Sequence, residues 1–298
     1  MDAITATDSA LFAAKCDIDL RHHAFAQRLA DLAVGALVDE AMLTPKPGLV
    51  DLRSRGAHKD MNWALMCHSA WSLHPSFYAM ALAGQENTDS LILREQIGCI
   101  GRDGESAMMR ATGGVNTHRG AIWALGLLVS AAAQDGNSID PNSIAARAGA
   151  LARLPDRFAP FGTTSKGEWA CRRYGVGGAR AQAQADFPHI TSIALPRLHR
   201  SRHEGAGEDA ARIDALVAVI AELDDTCVLS RGGEQALQSM QALAKAVLDA
   251  GGVAHHTGKR QLRLLEKDLL ERQVSPGGAA DLLAAALFLD KLQRLEAV

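Results

Sequence analysis

Apolar residues recur every three to four positions along nearly the whole of this chain, and no run of alternating β-branched residues is long enough to argue for a sheet. Between residues 22 and 42, Phe25, Leu29, Leu32, Ala33, Ala36 and Leu37 fall on one helical face, and similar spacing returns over 61–83, 89–110 and 116–133. The segments 143–153, 209–223, 233–249, 255–272 and 279–294 read the same way. Alanine and leucine dominate while aromatic residues make up 4% of the chain, a composition that favours helix. The pattern predicts an all-α fold, a compact multi-helix bundle forming a single domain over 22–298 behind an N-terminal extension over 1–21.

Charge removes several function classes. Lys and Arg total 31 against 34 Asp and Glu, so a net charge of -3 supplies no broad basic field for a nucleic-acid backbone, and any phosphate binding must be local. The five cysteines are scattered, without a Cys-x-x-Cys pair, and read as reduced core thiols. The N-terminus lacks the basic-then-apolar order of a signal peptide, so a cytoplasmic location is expected. The longest apolar stretch, 121–133, falls short of the roughly 20 residues that cross a bilayer, and no membrane span is expected.

The polar chemistry collects where glycine and proline interrupt the helices, at 44–60, 112–115, 154–178, 224–233 and 273–278. In the first of these, Thr44-Pro45-Lys46-Pro47-Gly48-Leu49-Val50-Asp51 precedes Gly56-Ala57-His58-Lys59-Asp60. Its prolines stiffen an extended loop and Gly48 admits close backbone approach, so Lys46, Asp51, His58 and Asp60 could share a rigid frame. A connecting loop with solvated charges is the plainer alternative. In the second, Thr112-Gly113-Gly114-Val115-Asn116-Thr117-His118-Arg119-Gly120 runs into an apolar helix. With Asn116 or Thr117 as N-cap, its free N–H groups and Arg119 would suit an anionic oxygen; equally, the segment could do no more than start a helix.

Two later segments repeat that logic. Asp225-Thr226-Cys227 leads to Arg231-Gly232-Gly233, and Ser275-Pro276-Gly277-Gly278 opens the helix holding Asp281, with Ser275 as expected N-cap and Pro276 as first helical residue. Glycines in a first helical turn cost stability and point to close approach by a ligand. Several such helix starts beside Asp, Arg and Lys suggest phosphate with Mg²⁺. The segment 186–209 reads as a linker or lid. His22-His23, His255-His256 and Cys67-His68 lack partners at metal spacing and are set aside. There is no His-Asp dipeptide, which weighs against helical metal phosphohydrolases, and no Gly-x-x-x-x-Gly-Lys-[Ser/Thr], which weighs against a P-loop kinase.

Four segments together resemble the triphosphoribosyl-dephospho-coenzyme A synthases: Pro45 to Asp51, Gly56 to Met61, Gly114 to Ile122, and Ser275 to Leu283. The resemblance runs in order from about Leu32 to about Leu289. It implies an all-helical transferase that takes ATP and 3′-dephospho-CoA, releases adenine, and makes the precursor of a carrier-protein prosthetic group. The implied partners are a prosthetic-group transferase and an acyl carrier protein, with no nucleic acid or membrane, and a homodimer is compatible with it. General similarity lies nearer the malonate decarboxylase branch than the citrate lyase branch. Gln182 stands where glutamate is usual and Cys227 where asparagine is usual, so neither of those loops is expected to carry chemistry, and Arg119 replaces the usual lysine.

Joining a ribose 2′-hydroxyl to C1 of the ATP ribose needs a base for the hydroxyl, an acid for the adenine and a carboxylate near the sugar. The resemblance implies Asp51, His58, Asp60 and His118 as catalytic candidates and Asp51, Asp60 and Glu105 as Mg²⁺ ligands. Nucleotide-binding candidates are Lys46, Gly48, Asn116, Thr117, Arg119, Gly120, Arg231, Ser275, Gly277, Gly278 and Asp281. A helix start and Arg119 should together lower the pKa of His118. The competing readings are a Mg²⁺-dependent helical nucleotide or ribosyl hydrolase and a non-catalytic nucleotide-sensing module.

Overall fold

The first helix, α1 (Asp2–Met42), carries the apolar stripe read from the sequence and begins earlier than that stripe, so the backbone of the expected extension continues it. The structure is a computed structural model; it describes residues 2–136, 138–160 and 165–295, with side chains from Asp19 onward. The remaining side chains of the 1–21 extension lie outside the described residues.

The helix expected over 61–83 is two helices, α2 (Trp63–Ser72) and α3 (His74–Glu86). Pro75 stands in the first turn of α3, where its missing N–H is harmless, but its ring would clash with a carbonyl one turn earlier in a continuous helix. Then follow α4 (Ser90–Ala111), capped by Asp89, and α5 (Arg119–Gln134) and α6 (Pro141–Arg153). The loop expected over 154–178 contains α7 (Lys166–Tyr174), started by the Ser165 hydroxyl and stopped by Gly175 in the left-handed region at φ 70°. Residues 161–164 of that loop lie outside the described residues.

After α8 (Gly178–Gln184), a π-helical turn (His189–Ala194) passes directly into α9 (Leu195–His203). This overturns the expectation of a linker or lid at 186–209. Phe187, Ile190, Ala194, Leu195 and Leu198 are buried at helical spacing, and Pro188 and Pro196 fall at element starts. The prolines that suggested a loop are helix starts.

The chain ends with α10 (Glu208–Glu222), α11 (Thr226–Asp249), α12 (His256–Glu271) and α13 (Gly277–Leu295). Helix α11 begins before the expected position: Asp225 caps it, and only Gly233, at φ 67° and ψ -167°, kinks it. Arg231 therefore rides on a helical turn. The described residues contain no strand, as the all-α reading requires. No described helix is long and apolar enough to cross a membrane.

Helices α5 and α13 form the centre. Ala121 to Ala133 of α5 is buried apart from Trp123, α13 is buried over most of Ala279 to Leu292, and the two pack on each other and on α1. Glycines let neighbours approach: a Cβ on Gly126 would lie 2.8 Å from the Met80 sulfur. Because two such apolar helices can sit only in the interior, their polar starts are delivered side by side. Leu198→Ala, in the segment once expected to be a lid, should lower unfolding free energy by about 2–5 kcal/mol in denaturant titration; a lid would lose almost nothing.

Candidate active site

The starts of α5, α11 and α13 meet the 43–62 loop around a cavity of about 700 Å³. Asp60, His58, Glu105, Asn116, Thr117, His118, Arg119, Gly120, Arg231, Ser275, Gly277, Gly278, Asp281 and Lys46 all line it. Two predicted residues do not. Asp51 is buried behind the wall, where its carboxylate accepts from the Lys46 N–H at 3.1 Å, from the N–H groups of Arg53 and Ser54, and from the Arg53 side chain. Its oxygens organise the loop and are spent on protein donors. Gly48, at φ 69°, has no room for a Cβ because Leu269 and the Val274 carbonyl would each lie 3.0 Å away. Packing against the end of α12 accounts for this glycine.

The Lys46 ammonium is 2% exposed and donates to Glu40 Oε1 at 2.6 Å and to the Glu40 carbonyl at 2.5 Å. This differs from the phosphate-binding role expected of it: the charge is consumed within the protein. Glu40, at the end of α1 and itself 3% exposed, was not visible as a site residue because it sits among ordinary helix-surface charges.

At α13 the glycines also have protein partners. Asp225, buried and capping α11 at Cys227 N–H, accepts the Ala279 N–H at 3.0 Å. A Cβ on Gly278 would lie 3.1 Å from Asp225 and one on Gly277 would lie 3.1 Å from Cys227 Sγ. The close approach inferred from these glycines is real, but α11 makes it, and Gly278→Val would disturb folding as well as binding. Ser275 is not the N-cap; its hydroxyl meets His58 Nε2 at 3.0 Å. On α5, His118 holds the cap position while the Asn116 side chain accepts the Arg119 N–H at 3.3 Å, and Gly120 is glycine because Asp281 Oδ2 lies 2.1 Å from where its Cβ would be.

Charge in the cavity is layered. On its floor, burial raises the carboxyl of Asp225, and burial with the nearby charges of Glu40 and Asp225 pushes that of Asp281 well above the ordinary carboxylate range. His118 is buried, with a pKa lowered to about 3 by desolvation and by the Lys46 ammonium. The direction agrees with expectation; the cause does not, since Arg119 faces Glu105 at 2.9 Å. His118 Nδ1 lies 2.9 Å from Ser69 Oγ, which lies 2.6 Å from Thr117 Oγ1, and its Nε2 has no partner. His58 is also lowered, by burial and Arg231, against a smaller opposing effect of Asp60 at 3.9 Å.

At the rim, Lys166, Arg180 and Arg231 line the cavity and make no ion pair among the described residues. Arg180 and Asp225 belong to the two loops set aside for departing from the family pattern, and both loops are in the wall. The predicted metal set is dispersed: Asp51 is outside the cavity, Glu105 is paired with Arg119, and Asp60 is exposed beside His58. Among the described residues no three His, Cys, Asp or Glu groups are arranged to hold a metal ion.

A cavity with basic side chains at its rim and buried ionisable groups in its wall, built where helix starts converge, is the kind of site a helical enzyme carries. The chain belongs to the ATP:dephospho-CoA triphosphoribosyl transferase family, whose pattern it matches over residues 26–298. It is 56% identical over 264 residues to the 2-(5″-triphosphoribosyl)-3′-dephosphocoenzyme-A synthase of Klebsiella pneumoniae, covering 89% of this chain and 94% of that one. It is 59% identical over 268 residues to a probable synthase of the same name from Stutzerimonas stutzeri, covering 90% and 92%. No solved structure matches it.

Two predictions test this electrostatic layout. Lys46→Met should cost about 3–5 kcal/mol of stability by stranding Glu40, and adding Glu40→Met should recover much of it; a surface phosphate ligand would show neither effect. Because the unfolded His118 titrates at 6.5 and the folded one at about 3, its contribution is whole above pH 6.5 and is lost as pH falls toward 3. Asp225 and Asp281 act oppositely, since the folded state holds their protons more tightly. The difference between parent and His118→Gln in urea midpoints across that window isolates the histidine: the parent should lose more stability on acidification.

Proposed function

We propose that the chain joins the 5-triphosphoribosyl group of ATP to the ribose 2′-hydroxyl of 3′-dephospho-CoA and releases adenine. The observation that carries this reading is His118: a buried imidazole, neutral because its pKa is lowered, whose Nε2 has no partner among the described residues, in the wall of a cavity whose rim cations make no ion pair among them. The bond from C1 of the ATP ribose to adenine N9 breaks with its electron pair leaving on adenine, and a bond from C1 to the 2′-oxygen forms. His118 Nε2 takes the hydroxyl proton. Asp281, whose carboxyl is held neutral by burial and by its acidic neighbours, gives a proton to the departing base. Two groups whose surroundings push their pKa values in opposite directions thus divide the base and acid roles.

The triphosphate is a handle in this reaction and is not cleaved. Arg231, Arg180 and Lys166 orient it from the rim, and His58, steadied by Ser275, stands beside Asp60 as a second proton carrier. Mg²⁺ would enter with ATP and neutralise charge on the phosphates, which suits an ion that keeps most of its ligands from phosphate and water; among the described residues no carboxylate cluster forms a cage for it. The product then passes to a prosthetic-group transferase and an acyl carrier protein of the malonate decarboxylase type, in the cytoplasm.

Incubation with ATP, Mg²⁺ and 3′-dephospho-CoA followed by mass analysis tests the reading. Free adenine should appear only when the acceptor is present; release without acceptor would indicate a hydrolase, and binding without turnover a sensing module. His118→Gln should retain melting temperature and ATP affinity while losing about a hundred- to ten-thousand-fold in adenine release. Turnover within a few-fold of the parent would remove His118 and turn attention to His58.

A further inference from the structure

Ser69 lies on α2, fully buried, and nothing in the sequence singled it out. Its hydroxyl oxygen sits 2.9 Å from His118 Nδ1 and 2.6 Å from Thr117 Oγ1, and Thr117 lines the cavity. One hydroxyl hydrogen must serve this chain of contacts, so only two arrangements exist. In one, Thr117 donates to Ser69 and Ser69 donates to Nδ1, which leaves a hydrogen on Nε2. In the other, Nδ1–H donates to Ser69 and Ser69 donates to Thr117, which leaves a lone pair on Nε2 and frees the Thr117 hydroxyl hydrogen to point outward.

We propose that Ser69 is a positioning residue that locks His118 in the Nδ1–H tautomer, relaying the hydrogen bond to Thr117 and leaving the lone pair on the buried Nε2, which a substrate hydroxyl meets only when the wall shifts to admit it. Two observations select this arrangement. The Nε2 atom is buried with no acceptor in reach, and a buried donor left unpaired is rarer in folded proteins than an under-used acceptor. The Thr117 hydroxyl has no other protein partner among the described residues, so its hydrogen can meet an acceptor oxygen in the cavity. That acceptor has the chemistry of a phosphate or sugar oxygen. A ligand there strengthens the whole chain and makes Nε2 more basic when the site is filled. The base role of His118 rests on the function proposed above; the tautomer does not, and can be read separately.

The test is two-bond ¹H–¹⁵N correlation on the full-length protein labelled at histidine nitrogen, with the His118 signals assigned by their loss in His118→Gln. At neutral pH the parent should show a protonated Nδ1 and a bare Nε2. Ser69→Ala should move His118 toward the Nε2–H form, and kcat should fall about ten- to a hundredfold with KM changed less than about threefold, the usual scale for losing a group that orients a reacting one. Thr117→Val, which leaves the imidazole untouched, should shift the tautomer in the same direction, and Thr117→Ser should keep it. A parent in the Nε2–H form, or a tautomer unmoved by both Ser69→Ala and Thr117→Val, overturns the relay. A tautomer that flips without loss of kcat leaves the relay standing and removes His118 as the base.

Discussion

The ion pair between Lys46 and Glu40 organises both the shape and the electrostatics of this molecule. It ties the end of α1 to the loop that carries His58 and Asp60, and it does so where neither partner has water to fall back on. Desolvating two charges is expensive, and the cost is offset only when geometry is good and the remaining hydrogen-bonding capacity is used. Here the ammonium also holds the Glu40 carbonyl, and the Lys46 backbone N–H holds Asp51, so one residue fastens the end of α1 to the loop. The pair also reaches into the chemistry: Lys46 opposes protonation of His118, and Glu40 opposes ionisation of Asp281. Burial is the larger cause of each shift, and the two ends of this one contact add to it in opposite places.

That arrangement explains why helix starts, and no dedicated domain, build the cavity. α5 and α13 are too apolar to leave the interior, so their first turns meet beneath the surface. Gly120 lets α13 come close enough for Asp281 to accept the Ala121 N–H. Gly277 and Gly278 let α11 do the same from the other side. The glycines set the spacing between protein segments, and the ligand inherits the space that remains.

The all-helical fold was legible because periodicity reports burial directly, and buried faces make up most of this chain. Helix starts marked by proline were misread: Pro188 and Pro196 looked like loop residues, although a first helical turn tolerates them well. At the site, residues in glycine-rich loops could be found because their local composition is unusual. Glu40 and Ser69 could not, since each belongs to a helix whose pattern is ordinary, and only the packing of that helix turns the side chain inward. Lys46 and Asp51 were seen, but not the protein partners that hold them. A loop sequence shows that charges are held rigidly, and not whether they face a ligand or one another.

The start of α13 carries a further consequence. Helix N-termini are ready sites for anions, yet here Asp225 already occupies the N–H groups of that first turn. The positive charge at the rim of the cavity lies on Arg180, Arg231 and Lys166, which are exposed. Fields from such groups are screened within about 8 Å at physiological ionic strength, whereas the floor is shielded from dissolved ions. Rim and floor are consequently tuned by different surroundings: the charge of the first answers to the salt content of the medium, and that of the second is insulated from it.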